Sequence, residues 1–82
     1  MYELLYTRRA FEDIEELDAV VKKRLVAKLD EFGKDPFRVS EKLTNSKLGQ
    51  YRFRVGNYRI VFDTHGQKII ILRIGHRREI YR

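Results

Sequence analysis

Arginine occupies every second position in the stretch Tyr51-Arg52-Phe53-Arg54-Val55, and returns after a turn signal in Gly56-Asn57-Tyr58-Arg59. Residues two apart on a β-strand point to the same face. Arg52 and Arg54 therefore share a side, and Arg59 on the returning strand can share it with them. Each guanidinium can hold a phosphate through two parallel hydrogen bonds. The same pattern also fits a strand face kept soluble by charge. A second group closes the chain: Gly75-His76-Arg77-Arg78-Glu79-Ile80-Tyr81-Arg82. It brings further arginines, a histidine and a tyrosine to the end of a strand, where functional residues concentrate. Taken alone it reads equally as a frayed basic terminus.

Charge is distributed to match. The 82 residues carry a net +6. Residues 1–41 hold eight Lys and Arg against ten Asp and Glu, whereas residues 42–82 hold ten against two, a net +8. A half so positive attracts a polyanion, most commonly nucleic acid, with an acidic protein or a membrane surface as alternatives. There is no cysteine, so neither a disulfide framework nor a cysteine–histidine zinc site is expected, and a reducing cytoplasm fits. No basic leader precedes an apolar run, so no signal peptide is expected. The longest apolar run, Ile69 to Leu72, is far too short to span a bilayer.

The elements that must position these residues follow from periodicity. Tyr2 to Tyr6 reads as a strand. Thr7 is a fair N-cap for a helix running to about Leu17, with Ala10, Phe11, Ile14 and Leu17 as its apolar face and Glu12, Asp13, Glu15 and Glu16 as its solvated side. Asp18 can cap a second helix from Ala19 to Phe32, striped by Val21, Leu25, Leu29 and Phe32, with Gly33 at its C-cap and Pro36 beyond. Residues 34–48 show no period and read as a loop with room for a short helical turn. Period two then takes over. Tyr51 to Val55 and Tyr58 to Asp63 form a hairpin around Gly56-Asn57. Thr64-His65-Gly66 makes a second turn, in which His65 is a solvated loop residue. Lys68 to Ile74 is apolar on both faces, as a central strand is, and Gly75 breaks it. The tail has the option of a last edge strand. The expected architecture is one α+β domain over residues 1–82: an N-terminal strand, a helical hairpin, and an antiparallel meander of three to four strands with the helices on one face. Tyr51, Phe53, Val55, Tyr58, Ile60 and Phe62 would bury against the helices, leaving Arg52, Arg54 and Arg59 exposed on the other face.

This order of elements, with the Tyr51–Arg59 stretch and the closing Gly75–Tyr81 stretch at this separation, resembles the RelE/ParE toxin superfamily, and within it the RelE branch. The resemblance covers almost the whole chain. It implies the RelE-like microbial RNase fold and the toxin role of a type II toxin–antitoxin system. It also implies an endoribonuclease that cuts messenger RNA in the ribosomal A site, held silent by a RelB-type antitoxin in a hetero-oligomer. The family's active site carries over residue by residue to Arg52, Arg54, Arg59, Arg77 and Tyr81. Lys47, Arg73, Arg78 and Arg82 are further candidates for RNA contact.

The chemistry is consistent with those residues. RNA is cut when its own 2′-hydroxyl attacks the adjacent phosphorus. That needs a proton acceptor, charge stabilisation and a proton donor for the leaving 5′-oxygen. Clustered arginine supplies the second. No dense carboxylate cluster suggests a catalytic metal, and no cofactor is expected. Some family members place lysine where Arg52 and Arg54 stand. Arginine effectively cannot act as a base, so these two read as phosphate clamps. The proton carriers would then be Tyr81 and His76, although His76 reads equally as a structural turn residue and Tyr81 equally as a platform for a base. Three other readings stay open: a DNA-gyrase poison of the ParE branch, a non-catalytic RNA-binding module, and a toxin homologue that has lost activity.

Overall fold

The computed structural model describes residues 2–44 and 47–80. Strand β1 (Glu3–Tyr6) leads into helix α1 (Arg8–Glu15) and helix α2 (Ala19–Phe32). A single 3-10 turn (Pro36–Arg38) precedes β2 (Ser40–Lys42), β3 (Tyr51–Val55), β4 (Tyr58–His65) and β5 (Lys68–His76). Both expected helix caps form. Thr7 Oγ1 accepts the Ala10 amide at 3.1 Å and donates to the Leu72 carbonyl at 3.0 Å, while Asp18 Oδ1 accepts the amides of Val20 and Val21. Gly56 and Gly66 turn the two hairpins with φ of 58° and 61°, a region that costs glycine little.

The sheet has the order β1-β5-β4-β3-β2. β5 is an interior strand: it pairs antiparallel with β4 and parallel with β1. Leu25, Leu29 and Phe32 of α2 and Ala10 of α1 pack on Phe53, Val55, Ile60, Phe62, Ile69, Ile71 and Ile74. Tyr51 and Tyr58 are partly buried against the same core, as their strand phase requires.

Several expectations are corrected. The 34–48 loop contains β2, whose Ser-Glu-Lys sequence has little strand preference and forms because β3 offers a partner edge. Gly75 does not break β5, because opposite it stands Arg59 and the pairing runs on to Tyr58 and His76. Residues 77–80 fold as turns rather than an edge strand, with the Glu79 and Ile80 amides returning to the His76 carbonyl. α1 ends at Glu15, and Phe11 is 57% exposed instead of lining the helix contact. Asp13 is not on the solvated side: its side chain is 10% exposed.

The face away from the helices is also less open than the alternation implies. Val61, whose partners across the sheet are Arg52 and Arg73, is completely buried. The segment before β3 lies over it: Gly49 comes so close that a Cβ there would meet Val61 Cγ1 at 2.7 Å and Leu72 Cδ1 at 2.8 Å. Asp63 pins that segment by accepting the Gln50 amide, and Gln50 Oε1 accepts the Thr64 amide. At the other end Ile80 is buried against Gly75.

Candidate active site

β3 and β4 build the core of the site. Arg52 and Arg54 leave β3 on the face away from the helices, and the register sets Arg54 directly opposite Arg59. Like charges opposite one another on a sheet repel. Two features offset that repulsion. The Arg59 Nη1 donates to the carbonyls of Gly56 at 2.9 Å and Tyr58 at 3.0 Å, tying the guanidinium to its own turn. It is the one charged residue in the buried set of the described chain, at 9% exposure. The second feature is Glu41 of β2, the register partner of Arg52. Its Oε2 accepts from Arg52 Nη2 at 2.8 Å, and its Oε1 lies 3.0 Å from Arg54 Nε. The hydrogen bond from Arg52, reinforced by the positive charges of Arg52, Arg54 and Arg59 against a smaller opposing effect of desolvation, holds the Glu41 carboxyl below the ordinary glutamate range. The Arg52 side chain is 20% exposed and the Arg54 side chain 53%.

The closing stretch arrives beside this corner through backbone pairing. Gly75 is the register partner of Arg59, and the Arg77 amide donates to the Asn57 carbonyl at 2.8 Å. Arg77 thus leaves the sheet next to the β3–β4 turn that Arg59 holds, with its side chain exposed. The backbones of Arg54, Arg59 and Arg77 meet at the β3–β4 turn, with Arg52 two residues further along β3.

Other candidates lie elsewhere. His76 pairs with Tyr58 on the helix-facing side, its ring 5.6 Å from the Tyr58 ring, so it is across the sheet from the arginines. Its Nδ1 accepts the Arg78 amide at 3.2 Å, which in a neutral ring leaves the proton on Nε2. Arg73 is held by Asp13. Lys47, Arg78 and the hairpin residue His65 are exposed. Tyr81 and Arg82 lie outside the described residues.

A groove of about 680 Å³ adjoins the corner, between α2 and the β3 edge that β2 leaves uncovered. Phe32, Phe53 and Val55 form its floor, and its charged lining is net basic, Arg24, Lys28, Lys34, Arg38 and Arg54 against Glu31 and Asp35.

The family model described as the ParE toxin of type II toxin–antitoxin system, parDE, matches residues 4–81. The chain belongs to the RelE/ParE toxin family. Its curated relatives narrow the branch. The toxin RelE3 of Methanocaldococcus jannaschii is 30% identical over 82 residues, 95% of this chain and 93% of the relative. The toxin RelG of Mycobacterium tuberculosis is 31% identical over 88 residues, 99% and 97% of the two chains. Among solved structures, the RelB–RelE antitoxin–toxin complex of Methanococcus jannaschii gives a TM-score of 0.73 at 27% identity, with 94% of each chain covered. The isolated RelE toxin of E. coli gives 0.76 at 25% identity, covering 99% of this chain and 92% of that one. The α+β fold is that of the RelE toxins, and this family member is a type II toxin of RelE kind.

Glu41 is the residue of the site that the sequence left unmarked. It has no local signal, because it sits in a stretch without period.

Proposed function

We propose that this toxin is a metal-independent endoribonuclease that cuts messenger RNA in the ribosomal A site. The observation that carries the reading is the meeting, at one sheet corner, of two distant stretches, one bearing Arg52, Arg54 and Arg59 and the other Arg77. Arg52 and Arg54 take the non-bridging oxygens of the scissile phosphate. The 2′-hydroxyl gives up its proton as its oxygen attacks phosphorus, the bond to the 5′-oxygen breaks as that oxygen takes up a proton, and a 2′,3′-cyclic phosphate and a 5′-hydroxyl remain. Arg59, fixed by its turn, and Arg77, on the tail, stabilise the charge that builds on the phosphorane-like transition state. Tyr81, four residues beyond Arg77 in the sequence, is the residue we assign to proton transfer or to stacking on a base. His76, on the other face, is left to hold the turn.

A RelB-type antitoxin in a toxin–antitoxin hetero-oligomer is the partner we infer. The relatives solved as RelB–RelE complexes support it, and so does the groove beside the corner, whose apolar floor and net basic lining suit an acidic amphipathic segment. The site of action is the cytoplasm.

The test is cleavage of a defined messenger RNA by the purified toxin, with stalled ribosomes at fixed magnesium and without ribosomes in EDTA. Cuts in the A-site codon establish the full reading. Cuts in free RNA retain the ribonuclease and remove the ribosome. The matching family model is described as the ParE toxin, which favours one second reading, a gyrase poison. Trapped double-strand breaks in a gyrase assay, with RNA left intact, would establish that instead.

A further inference from the structure

The fork between Arg52 and Arg54 is already filled by this chain. Glu41 puts one carboxylate oxygen on each guanidinium, at 2.8 Å from Arg52 Nη2 and 3.0 Å from Arg54 Nε. A carboxylate and a phosphodiester each carry one negative charge and present two oxygens to arginine in similar geometry. Both cannot use the same donors at once. We propose that Glu41 is an internal counter-ion that occupies the phosphate position of the Arg52–Arg54 fork and must swing out when a phosphodiester enters.

Three observations support displacement over a permanent brace. Glu41 sits on a three-residue edge strand, and its side chain is 49% exposed, so solvent can receive it. Exposed ion pairs are weak, each worth only a fraction of the attraction their geometry suggests. A negative charge nearby also relieves the Arg54–Arg59 juxtaposition, and an incoming phosphate supplies that charge itself. Glu41 thereby sets the affinity of the fork. It lowers the repulsion within the corner, at the cost of weaker and less salt-sensitive binding.

The inference rests on the ribonuclease reading only in naming RNA as the phosphodiester, and the experiment separates the two. Wild type, Glu41→Gln and the remote control Glu15→Gln are compared, with thermal melts confirming that each is folded. In the first arm, inorganic pyrophosphate is titrated while the Nε–Hε NMR signals of Arg52 and Arg54 are followed. In the second arm, a 2′-O-methyl oligoribonucleotide, which cannot be cut by 2′-attack, is bound over a range of salt. Glu41→Gln is expected to take pyrophosphate about 3- to 10-fold more tightly than wild type, with Glu15→Gln unchanged. It is expected to bind the oligonucleotide more tightly as well, with a log affinity against log salt slope steeper by about 0.7. Equal or weaker pyrophosphate binding by Glu41→Gln overturns the proposal and makes Glu41 a brace. A gain for RNA without a gain for pyrophosphate also overturns it. A gain for pyrophosphate with no RNA binding by any variant keeps the counter-ion and removes the RNA reading.

Discussion

Asp13 of α1 holds Arg73 of β5 across 60 positions of sequence, with Oδ2 2.9 Å from Arg73 Nε. The same oxygen accepts the Ile74 amide at 3.0 Å. β1 pairs with β5 only as far as Ile71, so beyond it the β5 edge would present bare amides. A side chain from α1 takes over where the strand ends. The contact fixes Arg73 against α1 through Nε, with 30% of its side chain still exposed.

Asp13→Ala should therefore cost about 1–3 kcal/mol, because it strands both a buried amide and a part-buried charge. For a chain of this size that is a fall in melting temperature of roughly 4–8 °C per kcal/mol. Calorimetry checks it. An unchanged melting temperature would mean that water replaces the carboxylate at no cost.

Arg77→Ala should leave stability within about 0.5 kcal/mol of wild type, since the bond to Asn57 comes from the backbone and the side chain is exposed. Cleavage should fall by roughly 100-fold or more if the guanidinium meets transition-state charge. Near-normal cutting would take Arg77 out of the site.

Arg59→Ala should lose both properties together. Its guanidinium ties down the β3–β4 turn through the Gly56 and Tyr58 carbonyls, so about 1–3 kcal/mol of stability should go with the activity. Arg59→Lys keeps the charge without the fork. It should recover part of the stability and little of the cleavage, as read by melting temperature and single-turnover rate.

Gly49→Ala tests the segment that covers Val61. The added methyl would sit 2.7 Å from a branched, wholly buried side chain. Overpacking of this kind costs about 1–3 kcal/mol. A denaturant midpoint equal to that of wild type would show that the segment lifts away easily.

The pH dependence of stability should carry a mark of Glu41. Its carboxyl titrates below the ordinary value in the folded chain, first through the Arg52 hydrogen bond and then through the charges of Arg52, Arg54 and Arg59, with desolvation opposing. Its stabilisation is therefore fully present above the unfolded glutamate pKa. It is lost as pH falls from there through the lower folded value. In Glu41→Gln that acid-side loss should be smaller, while the two proteins should titrate alike at neutral pH. Denaturant midpoints measured from neutral to acid pH check the difference.

The sequence by itself determined the two helices, the strands β1, β3, β4 and β5, and the basic hairpin. Period-two alternation placed Arg52 and Arg54 on one face, and the helix caps at Thr7 and Asp18 and the turn at Gly56-Asn57 were local signals that local chemistry honours. It could not determine which charges are spent inside the fold. Whether Arg59 is buried, whether Arg73 is held by Asp13, and whether Glu41 fills the arginine fork all depend on contacts between residues far apart in the chain. Ser40–Lys42 becomes a strand only because β3 has an edge to offer, and His76 falls on the wrong face for the arginines only because of the β4–β5 register. Backbone periodicity is written residue by residue. The pairing of charges is set by register and packing, which exist only once the chain has closed on itself.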